Sequence, residues 1–296
     1  MKKKAFLFII IAGLLWGSSG IFVKFISPLG FTSLQMTAVR GAISLLCMAA
    51  YVLISDRSLF LVKPAYLLLL APIGIFLFST ASLYYTAMQM TSISTAVVLM
   101  YTSPIYVSVF SMLFLGEKRS PLKFAAILLL VVGCGLVSGI VGGFRFDPLG
   151  ILLGFLSGLS YAAYNILTKI ALKKGNNPIS VSLYGFLFMV IVAIPFSSPK
   201  SLFENISASP SVALPLLIGL GICTFVLPYF LYTSAMKDLS AGTASAFSVV
   251  EPLAATVYSV VFFKEKLDVF GVVGIVIVLI SVILIGLIEN SGKQNS

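Results

Sequence analysis

Glu251 stands in the middle of an apolar stretch, FSVVEPLAATVY at residues 247–258, with a proline directly after it. An ionised carboxylate surrounded by lipid costs several kcal/mol unless it is paired, so we expect Glu251 to face the interior of a helical bundle. A carboxylate in that position can bind a cationic group or carry a proton. Pro252 cannot donate a hydrogen bond to the carbonyl of Ser248, which predicts a kinked helix and a free acceptor beside Glu251.

Residues with an aromatic or small body and one polar group are candidate partners of a bound molecule. Such side chains suit a cavity for small amphipathic molecules, although packing at the membrane interface is the alternative for any single tyrosine. Helical spacing places Trp16 on one face with Lys24, and Tyr161 on one face with Asn165. The predicted substrate-binding residues are Trp16, Ser19, Tyr84, Tyr101, Tyr161, Asn165, Tyr229, Tyr232, Ser248 and Glu251.

Three basic residues also lie inside apolar runs. Lys24 and Arg40 are possible charge contacts for an anionic group, and the alternative is that both side chains extend to the lipid headgroups. Lys169 is predicted to be an anchor at the cytoplasmic interface. Pro104, like Pro252, is predicted to kink its helix.

The segments that position these residues are apolar and long enough to cross a membrane. The chain is 59% hydrophobic and 9% charged, with a mean hydropathy of +1.13. Backbone amides cannot be left unpaired in lipid, so spans of about 20 residues must be helices. This predicts an all-α integral membrane protein in the lipid bilayer. The ten predicted spans are 5–25, 33–55, 66–88, 93–115, 122–141, 149–170, 179–199, 212–236, 243–263 and 268–288.

The residue types of the chain exclude several functions. The sequence has no histidine and no aspartate within a predicted span, which leaves no candidate metal site, histidine base or intramembrane protease dyad. Its three cysteines fall inside predicted spans without metal-ligand spacing. The net charge of +10 lies in loops rather than on one face, which argues against a nucleic-acid partner. We therefore expect no catalytic function, no metal and no cofactor.

The distribution of Lys and Arg predicts the orientation. With the N-terminus in the cytoplasm, inside segments carry twelve of the nineteen basic residues and outside loops carry four. This favours a cytoplasmic N-terminus. An even number of spans then places the C-terminus in the cytoplasm as well. The first twenty residues also fit a signal peptide. Its cleavage would remove one span and destroy the repeat described next.

The second half of the chain repeats the first. An offset of 148 pairs Thr95 with Thr243, Pro104 with Pro252 and Glu117 with Glu265, and an offset of 145 pairs Lys24 with Lys169. Each half, 1–145 and 146–296, holds five predicted spans. An odd number of spans forces the second half to insert in the opposite orientation, and such inverted repeats are the architecture of secondary transporters. Duplication that merely builds a stable bundle is the alternative.

Several motifs together resemble the EamA family of the drug/metabolite transporter superfamily. They are Trp16–Gly17 and Lys24 in the first span, Arg40 in TAVRGA, and the span endings FLGEK (114–118) and FFKEK (262–266). The resemblance covers nearly the whole chain. It implies ten helices, cytoplasmic termini, and a central cavity lined by helices 1, 3, 4, 6, 8 and 9. It also implies export of amino acids or other small metabolites.

We therefore expect a secondary transporter of the bacterial-type plasma membrane that exports a small-molecule substrate by alternating access around a cavity at the bilayer midplane. Coupling to protons through Glu251 and facilitated diffusion both remain open at this point. The alternatives are an organic-anion or phosphorylated-metabolite exchanger that uses Lys24 and Arg40, a non-transporting membrane scaffold, and a membrane-embedded enzyme. The sequence predicts no particular oligomeric state.

Overall fold

The computed structural model describes residues 2–91, 93–117, 120–139, 147–264 and 268–291, and the secondary structure in these ranges is helical. Among them are nine helices long and apolar enough to cross a membrane, and a shorter helix takes the place of the fifth predicted span. The all-α membrane fold is thus confirmed. In chain order the ten are α1 (Lys3–Leu29), α2 (Ser33–Ser55), α3 (Pro64–Met90), α4 (Thr95–Leu115), α5 (Pro121–Val137), α6 (Pro148–Lys173), α7 (Pro178–Phe196), α8 (Pro210–Ala235), α9 (Ala241–Phe263) and α10 (Val269–Glu289).

Five of these helices, α3, α5, α6, α7 and α8, begin with proline. Proline suits the first helical position because its missing N–H would have no partner in the helix. Side chains cap the exposed backbone amides that remain. Ser120 accepts from the N–H of Lys123 before α5, and Asp147 accepts from that of Gly150 before α6. Two shorter helices, Arg57–Phe60 and Pro199–Ala208, lie in the connections after α2 and α7.

Four membrane helices are irregular near their middle, and they carry most of the predicted binding residues. Interrupted helices are typical of transporter substrate sites, where non-helical backbone is tolerated if it lines a cavity. The segments are Lys2–Gly17 and Ser19–Ile26 in α1, Ile93–Met100 and Ser103–Leu115 in α4, Ala241–Phe247 and Val250–Phe263 in α9, and a π-helical stretch Ile222–Val226 in α8.

The two halves of the chain interlock. α1, the first helix of the first half, packs against α8 and α9 of the second half. In the same way α6, the first helix of the second half, packs against α3 and α4 of the first. The last helix of each half, α5 or α10, packs against the other. A two-fold axis in the membrane plane produces this pattern, since equivalent helices then make equivalent contacts across it.

Glycines permit the closest of these crossings. A Cβ atom on Gly17 of α1 would lie 2.6 Å from the Cβ of Ala254 and 2.8 Å from the carbonyl oxygen of Glu251 in α9. A Cβ atom on Gly158 of α6 would lie 3.0 Å from the carbonyl oxygen of Leu99 in α4. The two crossings, α1 with α9 and α6 with α4, each join the first helix of one half to an interrupted helix of the other half, at a distance that suits glycine.

The outer surface of the bundle is apolar. On α10, for example, Val272, Val276, Ile283 and Leu287 are each at least half exposed, with exposed fractions of 50, 51, 59 and 59%. Their spacing puts them on one side of the helix, away from α5. In water such a surface would drive aggregation, whereas in a bilayer it faces hydrocarbon at no cost.

One end of the bundle is held together by polar contacts around Lys123. Its ammonium lies 3.0 Å from Ser240 Oγ and 3.5 Å and 3.9 Å from carboxylate oxygens of Glu289 and Glu117. Glu117 also accepts a hydrogen bond from the backbone N–H of Ala241 at the start of α9. We call this group the Lys123 cluster. The repeat mate of Glu117, Glu265, lies outside the described residues.

We expect Lys123→Met to destabilise the protein by about 1–3 kcal/mol, because Glu117 and Glu289 would lose their common cation while remaining close together. Thermal unfolding of the purified protein in detergent measures this. Lys63→Met, which removes an exposed lysine at the start of α3, is the matched control. Equal unfolding temperatures for the two variants would contradict the prediction.

Candidate functional site

Glu251 lies in the first turn of the second segment of α9, directly after the interruption at Ser248–Val249. Its side chain is half-buried, whereas residues 241–249 before it are all buried. The backbone N–H of Glu251 donates to the carbonyl of Ser248 at 2.9 Å. The prediction that Pro252 leaves this carbonyl free is therefore wrong, because a tighter turn supplies another donor.

An arginine and four tyrosines from five other helices lie near the Glu251 carboxyl group, within the range of electrostatic interaction. Gly13 and Gly17 let α1 pack directly on the backbone of α9, and this contact fixes the position from which the Glu251 carboxyl group projects. With Glu251 the arginine and the tyrosines form what we call the Glu251 cluster, whose other members are Arg40 on α2, Tyr84 on α3, Tyr101 on α4, Tyr161 on α6 and Tyr229 on α8.

Tyr101 is the tyrosine of this cluster that points a polar atom at Glu251 without completing a bond. Its hydroxyl group lies beside the carboxyl, and among the described residues no group completes a hydrogen bond of good geometry with this buried oxygen. A buried hydroxyl without a partner is costly inside a bundle. The Tyr101 hydroxyl therefore has unused hydrogen-bonding capacity beside Glu251.

Arg40 is buried, with an exposed fraction of 6%. Its Nη2 donates to Thr37 Oγ1 at 3.1 Å and to the Tyr85 hydroxyl at 2.9 Å, while the buried Nε has no partner among the described residues. The guanidinium also lies 5.0 Å from the ring centroid of Phe225. Arg40 thus points into the bundle, and the alternative that it extends to the headgroups is wrong.

Aromatic side chains pack against one another beside the Glu251 cluster. The Trp16 ring lies 5.1 Å from that of Tyr229 and 5.3 Å from that of Tyr232, centroid to centroid. The Tyr232 hydroxyl donates to Asn165 Oδ1 at 2.5 Å, and Asn165 Nδ2 donates to the Tyr161 carbonyl at 2.8 Å. The structure therefore brings these five predicted residues together, with Asn165 engaged by protein partners in this conformation.

The other predicted residues are placed as follows. Ser248 is buried next to the cluster, and its hydroxyl donates to the Ser245 carbonyl at 2.6 Å. Ser19 begins the second segment of α1 and is half-buried. Pro104 and Pro252 each lie just after the interruption of their helix, α4 or α9. Lys24 is exposed, 3.5 Å from the ring centroid of Phe263, and its side chain stands apart from the cluster.

Lys24 and Lys169 are repeat mates, yet they have different surroundings. Lys169 is buried, and its ammonium donates to the carbonyls of Met236 and, at 2.6 Å, Leu239. This ties α6 to the C-terminal end of α8, where a cation is favoured. Lys169 is therefore not the interfacial anchor that the sequence predicted. We call this contact the Lys169 latch.

Sequence reasoning missed three residues of the site. Tyr85 is the partner of Arg40, and Tyr164 stacks on Tyr161 at 5.9 Å and meets Tyr229 edge-on. Phe225 faces the guanidinium from the π-helical stretch of α8. Tyr164 could have been found, since it lies one turn after Tyr161 on the same face. The sequence contains no comparable signal for Tyr85 or Phe225.

Comparison with known proteins identifies the family. The model of the EamA-like transporter family matches residues 3–139 and 148–287, once in each half of the chain. An uncharacterized transporter of Archaeoglobus fulgidus is 26% identical over 280 residues, which cover 93% of this chain and 94% of that protein.

Two further comparisons concern a relative with a named function and a solved structure. The threonine/homoserine exporter RhtA of Salmonella typhimurium is 26% identical over 190 residues, 62% of this chain and 59% of that protein. A solved crystal structure shares the fold with a TM-score of 0.80 at 18% identity, over 98% of this chain and 99% of that one. The chain belongs to the EamA-like transporter family of the drug/metabolite transporter superfamily and is a multi-span transporter of the plasma membrane.

Proposed function

We propose that the protein exports amino acids or closely related small metabolites by alternating access around the Glu251 cluster. The observation that carries this proposal is the cluster itself, where helices of both halves bring tyrosines and an arginine to one carboxyl group. Such a group binds an ammonium or carries a proton, and aromatic walls suit small amphipathic cargo. A relative named as a threonine/homoserine exporter supports amino acids as the cargo class.

The two repeat-mate lysines support alternating access. Lys169 donates to the carbonyls of Met236 and Leu239, while Lys24 is exposed and makes no equivalent contact within the described part of the chain. The offset of 148 makes Met88 and Thr91 the mates of Met236 and Leu239. We infer that Lys24 binds the carbonyls of Met88 and Thr91 in the opposite state, in which the Lys169 latch is released.

An organic-anion or phosphorylated-metabolite exchanger is the second candidate. Arg40 favours it, since a buried guanidinium with an unpartnered Nε is a natural anion contact. That function predicts loss of transport on neutralising Arg40 and no effect of Glu251→Gln. Amino-acid export predicts that both substitutions impair transport, so the pair of variants separates the two candidates.

The test is substrate-dependent proton flux into proteoliposomes that contain a pH-sensitive dye. A panel of amino acids, beginning with L-threonine, is applied to the wild type and to Glu251→Gln. We expect at least one amino acid to cross and to move protons with the wild type. We expect proton movement to disappear with Glu251→Gln, because glutamine has no carboxyl group to protonate.

Glu204→Gln is the matched control, because Glu204 is exposed on the short helix before α8. It should leave both fluxes unchanged. Amino-acid flux without protons, equal in wild type and Glu251→Gln, would show a uniporter and remove Glu251 from the mechanism. No flux of any amino acid, with flux of organic anions instead, would replace the proposal by the anion exchanger.

A further inference from the structure

Two opposite charges face each other inside the bundle without forming a salt bridge. Arg40 and Glu251 interact electrostatically. Both residues belong to the described part of the chain, and no nitrogen of Arg40 comes within 4.0 Å of a Glu251 oxygen. Oppositely charged groups in a membrane interior normally pair directly, since each charge is costly alone. This separation of Arg40 from Glu251, which we call the gap, therefore requires an explanation.

Each side of this gap also has an unpartnered polar atom. The two atoms are Nε of Arg40 and, beside Glu251, the hydroxyl oxygen of Tyr101, and neither completes a hydrogen bond among the described residues. Buried polar atoms of native proteins nearly always have partners, and the exceptions call for a ligand or water. The Arg40 side offers an N–H donor to an anion, and the Glu251 side offers oxygen acceptors to a cation.

We propose that this gap is a binding site for a zwitterion, with the α-carboxylate of an amino acid on Arg40 and its α-ammonium on Glu251 and Tyr101. The inference rests on the proposed function and adds to it the orientation of the cargo and the residue that selects the carboxylate. A zwitterion satisfies both unpaired charges at once. An amine or an acid alone satisfies one and leaves the other uncompensated in the membrane interior.

Other contacts of Arg40 hold it in position for this role. Thr37 on its own helix and Tyr85 on α3 occupy both hydrogens of Nη2, and Phe225 on α8 packs against the guanidinium. The guanidinium plane is thus fixed before any ligand arrives, which lowers the entropy cost of binding. A bound zwitterion then spans from α2 in the first half to α9 in the second. Its binding energy favours closure of the two halves around it.

A purely structural role of Arg40 makes a different prediction. If Arg40 only joins α2 to Tyr85 and Phe225, its substitution lowers stability but leaves the choice among ligands unchanged. The distinguishing readout is therefore discrimination between analogues, which the wild-type protein provides without any substitution.

The experiment measures competition in wild-type proteoliposomes that take up labelled L-threonine. The competitors are unlabelled L-threonine, its decarboxylated amine 1-aminopropan-2-ol and its deaminated acid 3-hydroxybutanoate. We expect the amine and the acid each to compete about tenfold to a hundredfold more weakly than threonine, because each lacks one charge-assisted contact. If either analogue competes as well as threonine, the zwitterion site is overturned although amino-acid export stands. If no amino acid in the panel is taken up, both proposals fail.

Two variants locate the carboxylate contact. Arg40→Gln should raise the KM for threonine about tenfold to a hundredfold and remove the advantage of threonine over the amine. Arg40→Lys should retain part of that advantage, because the positive charge remains. Arg57→Gln, which removes an exposed arginine just after α2, is the matched control. An Arg40→Gln protein that is folded by thermal unfolding and still prefers threonine over the amine would overturn the assignment.

Discussion

Gly17→Val is expected to reduce transport by about tenfold or more, through the helix crossing that holds Glu251 in place. A Cβ atom at this position would come 2.6 Å from the Cβ of Ala254 and 2.8 Å from the carbonyl oxygen of Glu251. The second of these atoms is backbone and cannot move aside as a flexible side chain can. α1 and α9 must therefore separate, and Glu251 leaves its partners. Uptake into proteoliposomes and thermal unfolding in detergent together measure the effect.

Gly20→Val provides a control on the same helix. Apart from the neighbouring backbone of α1 itself, no atom of the described residues lies within 4 Å of the position where a Cβ on Gly20 would be. Both variants add the same side chain to α1, so any general cost of valine in this helix is shared. Transport that falls equally in the two variants would show that the crossing at Gly17 is not what positions Glu251.

Lys169→Met is expected to have the second large effect, by releasing the Lys169 latch. Methionine has a similar length but no donors for the carbonyls of Met236 and Leu239. Hydrogen bonds from a charged group contribute about 1.5–3 kcal/mol, so the equilibrium between access states should shift at least about tenfold. Thiol labelling of Ser245→Cys reports this shift, because Ser245 is fully buried in the latched conformation. The native cysteines are replaced first.

Lys174→Met is the matched control for the latch. Lys174 follows α6 directly but is exposed, so its loss should leave Ser245→Cys protected. Labelling that rises about tenfold in Lys169→Met alone supports the latch. Equal protection in both variants would mean that Lys169 only stabilises the C-terminal end of α8, and the symmetry argument for Lys24 would lose its basis.

The helices and the inward position of Glu251 could be predicted from the sequence because lipid imposes simple rules. A run of about 20 apolar residues must be helical, and a carboxylate within one must face inward. Tyr84, Tyr101, Tyr161 and Tyr229 could be named as candidate cavity residues because each has an aromatic body with one polar group. Each lies on a helix that the family resemblance assigns to the cavity, and in the structure each lies near the carboxyl group of Glu251. That they bind cargo stays a prediction.

The surroundings of the lysines and the arginine could not be predicted in this way. In the sequence, Lys24, Arg40 and Lys169 are each a cation near the end of an apolar run. In the structure Lys24 is exposed, whereas the other two are buried. What separates them is the position of partners distant in sequence, such as Tyr85 for Arg40 and the carbonyls after α8 for Lys169. The reach of a long side chain allows either outcome, and tertiary contacts decide it.

The interlocked packing of the halves has a consequence for how the protein is made. α1 leaves the ribosome first, but the helices it packs against, α8 and α9, are synthesised near the end. During most of translation the glycine face of α1 therefore contacts lipid or other helices in the bilayer, and not its final partners. The helices of this chain can therefore assemble only after α8 and α9 have been made. A chain truncated after α7 should insert its helices into the membrane but should then be degraded by cellular proteases.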